Sequence, residues 1–137
     1  MTPVSAYVFV TVYIAVDILY ITLARPAYDR AVKNISGEPI PVGRSGAVVA
    51  AALSYACMAL GWLLLVVPTV KYMIASGTAK WMAGLVAGVV YGLALYGVFN
   101  GSLYAMFRGW STSIVTQDML WGVSWSTLVT VAFAMTR

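Results

Sequence analysis

Charged residues are confined to a few short segments of this chain, and the segments between them are long and apolar. Residues 45–70 and 81–107 contain no charged side chain. Residues 1–24 contain only Asp17, and Asp118 is followed by no charge before the final residue. An uncharged apolar run of about 18 residues or more is typical of a transmembrane helix. The pattern therefore predicts an all-α polytopic membrane protein, an antiparallel four-helix transmembrane bundle.

Prolines and glycines divide this pattern into four spans. Arg25-Pro26 is expected to end the first helix and Pro68 the second, because proline lacks the backbone N–H that continues a helix. The Gly- and Pro-containing segment 25–45 is expected to be the longest loop. The predicted helices are residues 3–24, 46–67, 81–105 and 112–135.

The composition agrees with lipid as the solvent of this chain, which its length makes a single domain, residues 1–137. Hydrophobic residues make up 62% and charged residues 9%, against about 45–50% and about 25% in soluble domains. The net charge of +4 comes mainly from basic residues in predicted loops, which favours headgroup contact over nucleic-acid binding. The expected partner is therefore the lipid bilayer, and no nucleic acid. Asp17 and the lack of a basic n-region indicate that the first apolar run is a span and not a signal peptide.

Metal and cofactor chemistry is not expected. The chain has no histidine and a single cysteine, Cys57, inside an apolar segment. Zinc and iron sites in proteins usually draw on clusters of these residue types. The glycines recur at helical spacing and not in a phosphate-binding loop, so no nucleotide cofactor is expected either.

The basic residues also suggest an orientation. The side that holds the first and third loops has five of them, Arg25, Arg30, Lys33, Arg44 and Arg108, and the other side has three. Counting by the positive-inside rule favours cytoplasmic first and third loops, with both termini outside.

A stripe of glycines marks the third span. Gly84, Gly88 and Gly92 recur every four residues, and Gly122 begins a looser row of small residues in the fourth span. In lipid, such rows allow two helix backbones to approach closely. The stripe is expected to pack the third span against the fourth, or to form the seam of a homodimer.

Polar residues in three spans fall at one depth. Asp17 lies seven residues before Ala24, which places it about 10 Å inside the face that holds the first and third loops. Asn100 and Asp118 lie at a similar distance from Arg108 and from the start of the fourth helix. An ionised carboxylate facing lipid is costly, so these side chains are expected to face one another, with at least one acid protonated at pH 7.

The expected neighbours of this layer are Tyr20, Tyr96 and Trp121. In one interpretation the layer only fixes the register of the helices. In the other it is a site for a proton or a ligand, because acids inside a membrane are often functional.

The polar residues lie within short motifs. These are Asp17-Ile18-Leu19-Tyr20, Pro26-Ala27-Tyr28, Tyr96-Gly97-Val98-Phe99-Asn100, Arg108-Gly109-Trp110 and Asp118-Met119-Leu120-Trp121-Gly122. Together they resemble a bacterial family of four-span predicted membrane proteins known only as a domain of unknown function. The resemblance covers most of the chain and implies a four-helix membrane fold, without an activity.

The third-span motif departs from that family, in which it usually reads Tyr-Gly-Thr-Tyr-Asp-Leu-Thr-Asn. Here Asn100 takes the place of the Asp, and Ser102-Leu103 that of Thr-Asn. A family chemistry that needs three acids is therefore not implied for this chain. Since relatives also occur in large DNA viruses, the resemblance allows either a cell membrane or the inner membrane of a virus particle as the location.

The function favoured by the sequence is a non-enzymatic structural or scaffolding role, alone or in a larger membrane-protein assembly. The alternative is a proton-coupled small-molecule carrier that works as a homodimer through Asp17 and Asp118. An intramembrane hydrolase would also need an acid pair, but the Tyr-Asp and Gly-x-Gly-Asp contexts typical of such enzymes are absent from the sequence.

Overall fold

The protein folds as a bundle of long helices joined by short connections. The computed structural model describes residues 3–40, 43 and 45–137, and four helical stretches of this part are long and apolar enough to cross a membrane. The predicted all-α four-helix membrane bundle is thereby confirmed. The helices are α1 (Pro3–Ser36), α2 (Ser45–Gly61), α3 (Val67–Ala75), α4 (Lys80–Met106) and α5 (Thr112–Met135), and a π-helical turn at Trp62–Val66 joins α2 to α3 into one span.

The sequence predicted that the first helix ends at Arg25-Pro26, and this prediction is wrong. The helix continues through Pro26 to Ser36, and α2 begins at Ser45. Proline is tolerated in membrane helices because neighbouring groups compensate for the lost hydrogen bond. Here Arg25 and Asp29 form an ion pair of 3.4 Å across this turn. Gly37 ends the helix with φ +81°, donating its N–H to the carbonyl of Lys33 at 2.9 Å, a glycine C-cap.

The second span does not end at Pro68 either. The π-helical turn ends at Val66, two residues before this proline, and a wider turn at such a position leaves room for the proline ring beside the preceding carbonyls. The helix then runs to Ala75, and Gly77, at φ +92°, follows it. The turn also directs Trp62 into the bundle, where the ring is 0% exposed and packs edge-on against Phe133 at 5.1 Å.

The closest helix contact joins α4 to α5 along the glycine stripe. A Cβ on Gly84 would lie 2.6 Å from the Cα of Val131, and one on Gly88 would lie 2.6 Å from the Cα of Thr127. A Cβ on Gly92 would likewise lie 2.8 Å from the Cα of Val123. The stripe is therefore filled by α5 of the same chain, and it sets the distance between the two helices that carry Asn100 and Asp118.

The second span is the least enclosed of the four. All residues from 45 to 54 are exposed, and Met58 is the buried residue of α2 in the described part of the chain. Elsewhere in the bundle, a well-packed core forms around Tyr13, Trp62 and Phe133, each 0% exposed. The half of the bundle near α2's first turns is thus the more open half.

Candidate functional site

Asp17 of α1 is a point of contact for all four spans. The side chain is 4% exposed. Its Oδ1 accepts hydrogen bonds from the Tyr96 hydroxyl at 2.5 Å and from the Trp121 indole N–H at 2.9 Å. Its Oδ2 accepts a longer bond, 3.3 Å, from the Tyr55 hydroxyl of α2. We call Asp17, Tyr55, Tyr96 and Trp121 the Asp17 network.

The aromatic members of the Asp17 network are held in place by packing. The Trp121 ring stacks on Tyr20 at 4.4 Å, with an angle of 7° between the planes. The Tyr96 ring lies on Gly122, where a Cβ would come within 2.0 Å of the ring. Gly122 therefore makes room for the ring whose hydroxyl binds Asp17. Tyr20 acts in this site as a stacking partner of Trp121.

Asn100 and Asp118 form a second buried pair beside this network. They are 1% and 2% exposed, and the Asn100 amide N–H group donates to Asp118 Oδ2 at 2.6 Å and to the carbonyl of Tyr96 at 2.9 Å. The Tyr96 backbone thus links the Asn100–Asp118 pair to the Asp17 network. The three predicted polar residues lie in one region, but each acid has its own partners.

Several polar atoms of this region have no hydrogen-bond partner in the described part of the chain. They include Asn100 Oδ1, Asp118 Oδ1 and the hydroxyl of Tyr28. The Tyr28 hydroxyl lies close enough to the Asp118 carboxyl to be a candidate hydrogen-bond donor to it, although the contact falls outside strict hydrogen-bond geometry. Since buried polar atoms are nearly always paired in folded proteins, these atoms indicate a place where a proton, a water or a ligand completes the structure.

Basic side chains do not neutralise either acid in the described residues. Arg25 pairs with Asp29, and Arg108 is exposed beyond the end of α4. Described His, Cys, Asp and Glu side chains also form no group of three or more that could hold a metal ion. Neither acid therefore forms an ion pair with a basic side chain of this part of the chain.

A cavity adjoins both acids. It has a volume of about 350 Å³, and Ile21, Ser54 and Phe99 at its rim are exposed. The loosely packed side wall of the cavity is α2. The cavity is lined by Asp17, Ile21, Ala51, Ser54, Tyr55, Met58, Leu95, Tyr96, Phe99 and Asp118.

Comparison with known proteins assigns the chain to a family. A family model described as a predicted membrane protein, DUF2177, matches residues 3–135. The chain belongs to this family. No curated protein and no solved structure matches it. As a DUF2177 protein with four spans, it is an integral, multi-pass membrane protein.

Two tyrosines of this DUF2177 site were missed by the sequence analysis. Tyr55 is the only contribution of α2 to the Asp17 network described above, and Tyr28 lies on the continuation of α1 that had been assigned to a loop. Tyr55 lies in an uncharged apolar run, so no local signal distinguishes it from an aromatic residue facing lipid. Tyr28 would have been found if α1 had been extended through Pro26, because it lies eleven residues after Asp17, about three helical turns.

Proposed function

We propose that this protein is a non-enzymatic membrane protein that binds a small amphipathic cation in the cavity between α1, α2, α4 and α5. The observation that carries the proposal is the composition of the cavity wall, which is lined by apolar and aromatic residues together with Ser54 and the two acids, Asp17 and Asp118. Its volume of about 350 Å³ falls within the usual range of small-molecule sites. A molecule with an apolar body and one positive charge complements both parts of the wall.

The charge of the site supports a cation in preference to a neutral guest. The acids lack a salt bridge in the described part of the chain, and an acid inside a membrane is expensive unless it is paired or protonated. Three aromatic residues, whose rings have electron-rich faces, line the same cavity: Tyr55, Tyr96 and Phe99. Such faces attract cations, most strongly where water is excluded.

The rim supports entry from the lipid phase. The first ten residues of α2 are all exposed, and the 3.3 Å bond from Tyr55 is the long member of the Asp17 network. Small movements of α2 therefore widen the cavity while the contact between α4 and α5 stays intact. Binding is the step that the cavity supports; carriage across the membrane by a homodimer is the wider hypothesis that depends on it.

Calorimetric titration of the protein in lipid nanodiscs tests the proposal. The probe is benzyltrimethylammonium, and its control is neopentylbenzene, which has the same shape without the charge. We expect saturable binding of the cation only, and a loss of about tenfold in affinity, ~1.4 kcal/mol, in Asp118→Asn. Glu38→Gln removes one negative charge at an exposed position outside the spans and should leave binding unchanged.

Three results would count against the proposal. The first is an absence of saturable cation binding. The second is equal binding of the neutral isostere, since the acids would then contribute nothing. The third is unchanged affinity in a folded Asp118→Asn protein.

A structural role in a larger membrane assembly, such as the inner membrane of a virus particle, is our second proposal. It is favoured by the short connections in the described residues, which leave mainly helix faces in the membrane for contact with other proteins. Extraction in native-lipid particles tests it: a membrane protein that copurifies in constant ratio and crosslinks to these faces would support it, and copurification with lipid alone would contradict it.

A further inference from the structure

The Asn100–Asp118 pair has two acceptor atoms left over. One hydrogen bond, from the Asn100 amide to Asp118 Oδ2 at 2.6 Å, joins the two side chains. The remaining oxygen of each, Asn100 Oδ1 and Asp118 Oδ1, is buried without a partner in the described residues. If Asp118 is ionised, both oxygens are acceptors and neither can satisfy the other.

A single proton on Asp118 would give both unpartnered oxygens a role in a hydrogen bond. A protonated Asp118 has an O–H group that can donate to Asn100 Oδ1, while Asp118 Oδ2 goes on accepting from the Asn100 amide. The acid and the amide would then be joined by two hydrogen bonds in opposite directions. Each unsatisfied buried acceptor costs roughly 1–3 kcal/mol, so this single proton removes two such costs.

We propose that Asp118 is a proton-binding site closed by Asn100, and that a cation entering the cavity displaces this proton one for one. The inference rests on the proposed function, because the displacing cation is the ligand proposed above. It also assigns different roles to the two acids. Asp17 accepts hydrogen bonds from two hydroxyls and an indole N–H, which suits a carboxylate. Asp118 accepts one hydrogen bond, from Asn100, and the nearby Tyr28 hydroxyl falls outside hydrogen-bond geometry.

In the described part of the chain, the surroundings of Asp118 contain one other carboxyl group, that of Asp17. The titratable groups that interact with it come from three helices: Asp17, Tyr20 and Tyr28 of α1, Tyr55 of α2 and Tyr96 of α4. The tyrosines are neutral there, and no described Lys or Arg forms a salt bridge with the pair. Two neighbouring carboxyl groups are unfavourable when both are ionised. The proton therefore belongs on Asp118, the acid with fewer hydrogen-bond donors.

The exchange is balanced in charge and atoms. The Asp118 O–H bond breaks, the proton leaves to water, and the cation takes its place beside the carboxylate; nothing is oxidised or reduced. The charge of the cavity is the same before and after. Because one proton leaves for each cation bound, the affinity should rise tenfold for each pH unit throughout the range in which Asp118 is protonated in the free protein.

Calorimetry of the wild-type protein measures the exchange directly. Benzyltrimethylammonium is titrated into nanodiscs at one pH, in phosphate and in Tris buffer, which differ in ionisation enthalpy. The difference in observed heat gives the protons released per cation, and we expect about one. Infrared difference spectra should show a protonated-carboxyl C=O band in the free protein that disappears on binding. The band should be absent in Asp118→Asn and present in Glu38→Gln.

The outcomes separate this inference from the proposed function. Binding without proton release, or without a protonated-carboxyl band in the free protein, would overturn the inference and leave the cation site standing. An absence of saturable binding would overturn both the exchange and the proposed function. The wild-type calorimetry does not depend on any variant, so misfolding of Asp118→Asn cannot hide either result.

Discussion

Gly88→Ala should separate α4 from α5, because no space exists for a methyl group at this position. The new Cβ would lie 2.6 Å from the Cα of Thr127, 3.0 Å from the carbonyl oxygen of Ser126 and 3.1 Å from the Cβ of Thr130. Carbon atoms in contact are normally about 3.5–4.0 Å apart. Two of the three neighbours are backbone atoms of α5, so a rotamer change cannot relieve the clash, and the helices must move apart by roughly 1 Å.

Such overpacking costs about 1–3 kcal/mol. The value should lie toward the upper end here, because Gly84 and Gly92 hold the same two backbones close on either side. Reversible unfolding by sodium dodecyl sulfate in mixed micelles, followed by tryptophan fluorescence, measures the loss. Gly88→Leu should be more destabilising still.

Gly97→Ala is the matched control on the same helix. Its Cβ would meet only the end of the Met119 side chain, at 3.8 Å, which is an ordinary contact. Replacing a helical glycine by alanine without a clash stabilises by roughly 0.5–1 kcal/mol in soluble helices, so this variant should unfold like the wild type or slightly later. Equal stability of the Gly88 and Gly97 variants would refute the close approach of α4 and α5.

Two further predictions concern the acids and α2. Asp17→Leu should destabilise the bundle by roughly 3 kcal/mol, since the hydroxyls of Tyr55 and Tyr96 and the Trp121 indole N–H lose their acceptor. Asp118→Asn should cost less than about 1 kcal/mol because an amide can still pair with Asn100. Similar unfolding of the two variants would contradict this difference. Tyr55→Phe removes the 3.3 Å hydrogen bond to Asp17 and should lower the free energy of unfolding by under about 1 kcal/mol. It should nevertheless raise the mobility of a spin label on Cys57 of α2. An unchanged label spectrum would show that this hydrogen bond does not hold α2.

The number and chemistry of the spans could be predicted because a membrane imposes them. An uncharged run long enough to cross the hydrocarbon core has few alternatives to a helix. The ends of α1 and of the second span were predicted wrongly because Pro26 and Pro68 were read as stops. In a bilayer the backbone gains more from continuing the helix than it loses at one proline, and the second span accommodates Pro68 with a π-helical turn that precedes it.

The sequence predicted the level of the site residues along their helices, but not the direction in which each side chain points. Spacing along the chain gave the level of Asp17, Asn100 and Asp118, because rise per residue is nearly constant in a helix. It could not say which way each side chain points around its helix, since that depends on how the helices pack. The division of donors between the two acids is therefore a result of packing, and so is the part played by Tyr55, which nothing in its own segment signals.

Asp17 accepts more hydrogen bonds than Asp118, so variants of the two acids should differ in their effects on folding and on binding. For Asp17 to bind a cation, its oxygens would have to give up hydrogen bonds that connect α1 with α2, α4 and α5. Removing its carboxylate, as in Asp17→Leu, should therefore weaken folding and binding together. Asp118 reaches the same cavity with one oxygen unpartnered in the described structure, so removing its charge should weaken binding while folding stays nearly intact. If the site is only structural, the two variants should instead differ in stability alone, and neither should change what the cavity binds.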